Sequence, residues 1–174
     1  ETAHVAGHSL GGMIGPAYAH RYPERVLSLG LLSTAAFRTE DDSAKVKAVV
    51  AAMHELSVAN GVPLLTAADL AAMRAANERF GAAVAAGDVD GALAADDAFH
   101  DVPVRAAGNA AVVAVLEQFT PLVRRLERVR FATLAGRGSV ARHARLGDLC
   151  ERGDRAAAAA VSRETWQTLD PMET

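Results

Sequence analysis

The chain has 174 residues with a formal net charge of −3, and its composition is 51% apolar but only 5% aromatic. This length fits one domain of ordinary size or two small pieces. The charge excludes a global attraction to nucleic acid. The scarcity of aromatic side chains favours closely packed helices built from Ala, Val and Leu. Because Cys150 is the only cysteine and no apolar run approaches the roughly 20 residues that span a bilayer, we expect a cytoplasmic protein without disulfides or membrane contacts.

The first part of the chain has an α/β pattern. Residues 4–7 predict a short strand, residues 10–21 a helix, and residues 26–32 a second strand. The second strand is a nearly continuous apolar run, which is typical of a strand buried on both faces of a parallel sheet. Two such strands joined through a helix would form one βαβ unit.

The turn between the first strand and the helix contains a candidate nucleophile. Residues 7–11 read GHSLG and match the G-x-S-x-G pattern, in which a sharp turn exposes the serine hydroxyl. Ser9 is therefore the candidate catalytic residue, and the backbone N–H of Leu10 is the candidate oxyanion donor. With the string RYPERVLSLGLLSTA at residues 21–35, this motif resembles the α/β-hydrolase family over about residues 1–60. The resemblance implies an ancestral serine hydrolase that acts on esters or lactones.

The partners that Ser9 would need are not found where that family has them. In the family, the acid and the histidine follow the serine on loops after further strands, whereas the downstream sequence here turns helical. A serine without its base is not activated, so we expect an inert Ser9 and no esterase activity from this chain. The alternative is a hydrolase that combines Ser9 with parts outside this chain. Turnover of an aryl ester that disappears in Ser9→Ala would overturn the expectation of no esterase activity.

The remainder of the chain predicts helices. One extends from about residue 41 to 60, and five more follow with short connections, which indicate an antiparallel bundle. The bounds of the five are about 66–86, 89–107, 110–134, 140–152 and 154–168. The expected fold class is mainly α: a helical bundle preceded by a short α/β fragment. Residues 1–62 form the hydrolase-like segment, and residues 64–170 form the helical domain.

Cap and loop signals separate these helices. Thr66 with Asp69 predicts a capping box, and Asn109 predicts the N-cap of a long helix. Pro121 lies inside that long helix and should kink it. Residues 136–139, which read GRGS, predict a loop.

A carboxylate and two imidazoles form a candidate metal site in the helical part. Asp96 and His100 are four residues apart, so their side chains leave the same face of one helix, and His143 lies on a later helix. Such groups facing the inside of a bundle can hold a divalent ion such as zinc, nickel or manganese. A second interpretation stays open: His100 and His143 can be buried, hydrogen-bonded core histidines.

Two longer strings carry a resemblance to a second family. ADDAFHDVPVRAAGN at residues 95–109 and VARHARLGDLCERGDRAAAAA at residues 140–160 resemble the FCD effector-binding domain of GntR-type transcription regulators. The resemblance covers about residues 64–170 and rests on the order and spacing of an acid, F-H, a turn ending in Asn, and a later histidine. It implies an all-helical domain that binds a small molecule.

By position, the resemblance places Asp96, His100 and His143 on three of that family's metal ligands. The fourth ligand, a histidine on the last helix, corresponds to Thr165, which is a poor ligand for zinc or nickel. Three ligands could still hold a metal, with water or an effector carboxylate at the open position.

Arginines are the candidates for binding an acidic effector. A basic run comprises Arg124, Arg125, Arg128 and Arg130. One interpretation is a solvated face with Glu127 as a partner; in the other, an arginine turns inward and pairs with a carboxylate. The effector-binding candidates are Arg105, Arg124 and Arg128.

The expected function follows from the second resemblance. We expect the effector-sensing domain of a GntR-type regulator, which binds a small carboxylate metabolite with or without a divalent metal. The winged-helix DNA reader that precedes this domain in the family is missing from the sequence, so we expect no direct binding of nucleic acid by this chain alone. The α/β serine hydrolase is the first alternative. A structural helical bundle that forms a homodimer through its apolar faces is the second.

Overall fold

The computed structural model describes residues 2–8, 18–19, 21–32, 40–131 and 135–167. The chain divides into two compact units, Glu1–Ser43 and Ala44–Thr174. Ser9 and Leu10, the candidate nucleophile and oxyanion donor, lie outside the described residues. The predicted nucleophile turn therefore stays a prediction.

The first unit contains a two-stranded parallel sheet. β1, Ala3–His8, pairs with β2, Val26–Leu32, which follows a 3-10 turn at Pro23–Arg25. Parallel pairing is the arrangement that the predicted βαβ unit requires. The prediction of burial on both faces fails at the start of β2, because Leu27 is 59% exposed and Ser28 is also exposed; the burial of residues 29–32 lies outside the description. The sheet has two strands in the described residues.

Helices make up the described part of the second unit and confirm the predicted bundle. In chain order they are α1, Glu40–Gly61; α2, Ala67–Ala86; α3, Val89–Ala107; α4, Ala110–Phe131; α5, Ala135–Glu151; and α6, Arg155–Gln167. The first few residues of α1 precede the unit, and a 3-10 turn at Val62–Leu64 follows this helix. None of the described helices is long and apolar enough to cross a membrane.

Local capping explains where several helices begin and end. The predicted capping box is confirmed: the Thr66 hydroxyl accepts a hydrogen bond from the Asp69 N–H, and the Asp69 carboxylate accepts one from the Thr66 N–H. Asn109 caps α4 as predicted, by accepting from the N–H groups of residues 111 and 112. Gly87 and Gly108 end α2 and α3 with φ values of 71° and 61°, a left-handed conformation that favours glycine. These signals fix the short connections of the bundle.

Residues 136–139 are helical, so the predicted loop is wrong. α5 begins at Ala135, and Ser139 is buried within it. A glycine inside a helix costs about 1 kcal/mol relative to alanine. Tertiary contacts oppose this cost: α5 packs against α2 and α6, and the Asn77 amide donates to the carbonyl of Val140 at 3.1 Å.

Most of α1 belongs to the helical unit because its apolar stripe is buried there. Val50 and Val58 are each 1% exposed, and Val58 packs in one cluster with Met73 and Phe99. The boundary between the compact units therefore lies before this stripe, earlier in the chain than the sequence analysis places it. The consequence for the site is that α1 supplies one of its walls.

Candidate metal centre and adjoining pocket

Asp96, His100 and His143, the three candidate ligands, come together inside the bundle. Asp96 and His100 project from one face of α3, and His143 projects from α5. His143 Nε2 lies 3.3 Å from Asp96 Oδ1, and His100 Nε2 lies 3.9 Å from the same oxygen. One ligand atom from each side chain lies within 4.8 Å of the other two. A group with this spacing could hold a single metal ion.

Aromatic contacts hold the two imidazole rings in place. Phe99 stacks on His143 with ring centroids 4.3 Å apart and an angle of 16° between the planes. Phe80 contacts the same imidazole at 5.0 Å, and His100 meets it edge-on at 4.9 Å. His100 and His143 are 4% and 1% exposed, respectively. Packed rings of this kind have little freedom to turn, so the donor atoms are preorganised.

The contacts of the two His143 ring nitrogens fit a metal ligand better than a core histidine that hydrogen bonds hold in place. Neither ring nitrogen has a hydrogen-bond partner of good geometry among the described residues, although Nε2 lies 3.3 Å from Asp96 Oδ1 and stabilises the ionised carboxylate from there. A buried polar atom left without a partner costs about 1–3 kcal/mol. A metal ion between His143 and Asp96 would satisfy Nε2. The residues present therefore fit a divalent ion held by one carboxylate and two imidazoles.

The protonation states also suit metal binding. Burial lowers the pKa of His100 to about 4, although the neighbouring Asp96 carboxylate opposes this effect. Burial by itself would raise the pKa of Asp96, but interactions with His100, His143 and Arg124 outweigh it and hold the pKa below its usual value. At neutral pH His100 is therefore neutral and Asp96 is ionised, which are the forms that bind a metal.

A small cavity adjoins the three candidate ligands. It has a volume of about 10 Å³, and its lining residues are Asp96, His100, Glu127, Phe131, Ser139, Thr165 and Trp166. Thr165, on α6, thus lies where the family resemblance places the fourth ligand. Its hydroxyl donates to the carbonyl of Val161 at 2.9 Å.

A larger pocket of about 610 Å³ lies against the other side of His100. Its polar lining residues are His54, Asp97, His100, Asp101, Arg105, Glu117, Thr120 and Arg124, and its apolar ones are Val104, Val113, Leu116, Pro121 and Trp166. The volume falls within the roughly 300–1,000 Å³ that is usual for small-molecule sites. His100 and Trp166 line both cavities, so the pocket and the candidate metal centre are neighbours.

The three candidate arginines differ in position. Arg105 and Arg124 line the pocket, whereas Arg128 is 57% exposed and pairs with Asp90 at 2.8 Å. Arg124 is 25% exposed; its guanidinium contacts the Asp97 carboxylate and lies 3.4 Å from Glu127 Oε2. Arg124 is therefore a cationic group held in the pocket wall, whereas Arg128 belongs to a surface ion pair.

His54 is a pocket residue that the sequence analysis missed. It projects from α1, is 6% exposed, and stacks on Trp166 with ring centroids 4.3 Å apart. Burial, with a smaller contribution from His100, lowers its pKa well below the usual value. A sequence signal existed: His54 lies one helical turn from Val50 and from Val58, on the apolar stripe of α1. The helix lies in the segment that resembles α/β-hydrolases, so its apolar stripe did not indicate a position beside the helical domain.

Glu127 is the second missed residue, since the sequence analysis treats it only as a partner of the basic run. It is 2% exposed and lines the small cavity. Its sequence position could have indicated this, because Val123, Glu127 and Phe131 recur every four residues on the buried face of α4.

Comparison with known proteins bears on one of the two resemblances. The family model of the FCD domain matches residues 48–168, which includes most of α1 and all three candidate ligands. No curated protein matches the chain, and no solved structure does. The resemblance to α/β-hydrolases has no support from these comparisons. The chain belongs to the FCD family, the effector-binding domains of GntR-type transcription regulators.

Proposed function

We propose that the helical unit senses a small organic acid in the 610 Å³ pocket, beside a divalent metal held by Asp96, His100 and His143. The observation that carries this proposal is the shared wall: His100 lines the pocket and also belongs to the candidate metal group. A carboxylate in the pocket therefore lies next to the metal position. Zinc, nickel and manganese are the candidate ions, since each accepts imidazole or carboxylate donors.

The pocket offers separate contacts for the two parts of an organic acid. The Arg124 guanidinium can donate two parallel hydrogen bonds to a carboxylate, and its contacts with Asp97 and Glu127 keep it oriented. Arg105 provides a second cationic group in the wall. The walls at Val113 and Leu116 can take a short hydrocarbon body.

The residues of the centre position the ion, and the ion contributes charge. A divalent metal held by these three residues would supply a positive charge that can bind a carboxylate oxygen. Asp96 balances part of that charge, while the stacked imidazole of His143 and the packed ring of His100 keep their donor atoms in place. Exclusion of water by these buried side chains strengthens each electrostatic interaction.

The test is a thermal-shift series on the full chain. Mono-, di- and hydroxycarboxylic acids of two to six carbons, each with its amide as a control, are added with zinc, nickel or manganese, or with a chelator. We expect acids to raise the unfolding midpoint more than their amides do, and to do so more with metal than with chelator. Equal shifts for acids and amides would contradict an anion site, and equal shifts with metal and chelator would remove the metal from the proposal.

Dimerisation through the apolar faces of the bundle stays a prediction. Sedimentation of the full chain over a range of concentrations would check it.

A further inference from the structure

Glu127 occupies an unusual position for an acidic side chain. It is 2% exposed, on the face of α4 that also buries Val123 and Phe131. Burial of a carboxylate is costly unless nearby groups compensate for it. Arg124 and Arg130 give only partial compensation. Arg124 Nη1 lies 3.4 Å from Glu127 Oε2 while the same guanidinium also contacts Asp97, and the cost of burial outweighs the attraction of both arginines.

The surroundings of Glu127 contain a second buried acid. Asp96 lines the same small cavity, and each of the two carboxylates disfavours the charge on the other. Two acids that line one small cavity are unusual in a protein core, and a bound cation would stabilise both of them.

The size of the cavity indicates how Glu127 can take part. Its volume of about 10 Å³ is close to the roughly 10–15 Å³ that one water molecule needs. Glu127 is not in the set whose ligand atoms all lie within 4.8 Å of one another, which contains Asp96, His100 and His143. A single water can therefore stand between the ion and the Glu127 carboxylate.

We propose that Glu127 is a positioning residue of the metal centre: its carboxylate accepts a hydrogen bond from a water on the coordination position that faces Thr165. The inference rests on the proposed metal site. The water occupies the cavity that Asp96, His100, Glu127 and Thr165 share. Partners that orient metal-bound groups in this way typically change metal affinity by about 10–100-fold.

The rival explanation is that Glu127 only orients Arg124. Asp97 provides a matched control, because it is the other carboxylate that contacts Arg124 but it lines the large pocket and not the small cavity. Loss of either acid removes one partner of the guanidinium. Only loss of Glu127 removes a group from the cavity beside Thr165.

The experiment measures Co²⁺ and Mn²⁺ affinity of the full chain by competition with a chelating dye, together with the visible spectrum of bound Co²⁺. The variants are Glu127→Leu, Glu127→Gln and Asp97→Asn, each with circular dichroism to check folding. We expect Glu127→Leu to weaken metal binding at least about tenfold and to alter the Co²⁺ spectrum. Glu127→Gln should have a smaller effect in the same direction, and Asp97→Asn should leave affinity within about threefold.

A double-mutant cycle with Thr165→His tests the water itself. An imidazole at position 165 should take the coordination position of the water, so that Glu127→Gln or Glu127→Leu then changes metal affinity little. Equal losses in the Glu127 and Asp97 variants, or undiminished losses in the Thr165→His background, would overturn the role of Glu127 and leave the metal centre intact. If the wild-type chain binds neither ion, the proposed metal centre and this inference both fail.

Discussion

The two cavities that meet at His100 and Trp166 differ in size and in lining. The inner cavity, about 10 Å³, is lined by the Asp96 and Glu127 acids together with an imidazole. The outer pocket, about 610 Å³, has two arginines, the three acids Asp97, Asp101 and Glu117, and apolar side chains in its wall, and it is far larger. Under the proposed function, the inner space would hold a cation with one water, and Arg124 would hold the acid group of the effector in the outer pocket. The shared wall shows that a buried, neutral imidazole can separate a small cavity lined by two acids from a larger pocket of mixed charge.

The largest expected effect concerns the neutrality of His100. Its pKa of about 4 lies below the ordinary 6.5, so between these pH values the unfolded chain binds the proton more readily. The contribution of His100 to stability is present above pH 6.5 and is lost as the pH falls through 4. Relative to His100→Leu, the metal-free wild type should lose about 3 kcal/mol of unfolding free energy between pH 6.5 and 4, because each pKa unit is worth 1.36 kcal/mol. Urea unfolding at several pH values measures this difference.

Glu127 gives that experiment a control of opposite sign. Its pKa of about 8 lies above the ordinary 4.5, so its contribution to stability is lost as the pH rises from 4.5 to 8. Glu127→Gln should therefore become more stable than wild type with rising pH. If the unfolding free energies of the wild type and of His100→Leu depend on pH in the same way, the fold does not hold His100 neutral.

The second prediction separates the inner cavity from an ordinary buried core. Zinc, nickel or manganese at a hundredfold excess over its dissociation constant should stabilise the wild type by about 2.7 kcal/mol, and His100→Leu should abolish that gain. Thermal melts with and without chelator measure the shift. His4→Leu is a suitable control, because His4 is exposed in the sheet and any metal effect there would be nonspecific. A wild type that no metal stabilises would identify His100 and His143 as core residues.

The third prediction tests the outer pocket. Arg124→Met should weaken binding of the best organic acid by about 2 kcal/mol, or roughly thirtyfold, since hydrogen bonds to charged groups contribute about 1.5–3 kcal/mol. Arg128→Met should leave binding unchanged, because Arg128 is paired with Asp90 outside the pocket. Calorimetric titration of both variants measures the difference. Equal losses would show that the arginines act through overall charge and not through a defined pocket.

The sequence predicted the bundle well because its signals are local. The Thr66 capping box, the Asn109 cap and the helical spacing of apolar residues act within one or two turns, and each of them appears in the structure. The helix at residues 136–139 escaped prediction because contacts with α2 and α6 outweigh two unfavourable glycines. Local patterns do not contain such long-range packing.

The site was predictable in part for a similar reason. The four-residue spacing of Asp96 and His100 indicates a shared helix face directly, and the family resemblance supplied His143. His54 and Glu127 lie on apolar stripes of α1 and α4, and only the packing of those helices shows which cavity each side chain meets. The position of Arg128 outside the pocket is likewise a result of helix packing, since its sequence neighbourhood resembles that of Arg124.

The smallest expected effect comes from replacing Thr165 with a side chain that can bind the metal. Thr165→His should raise metal affinity by about tenfold, or 1.4 kcal/mol, because an imidazole is a better ligand than water at the open position. The gain is limited because the ring enters a cavity of about 10 Å³ beside Trp166, and overpacking typically costs about 1–3 kcal/mol. Thr165→Val keeps the shape of the side chain without adding a ligand, so it should give no gain in affinity. If the open position also accepts the carboxylate of the organic acid, Thr165→His should bind metal more tightly but the acid more weakly. Titration of metal and then of acid into both variants measures the two changes, and an increase in both affinities would show that the metal and the acid do not meet at that position.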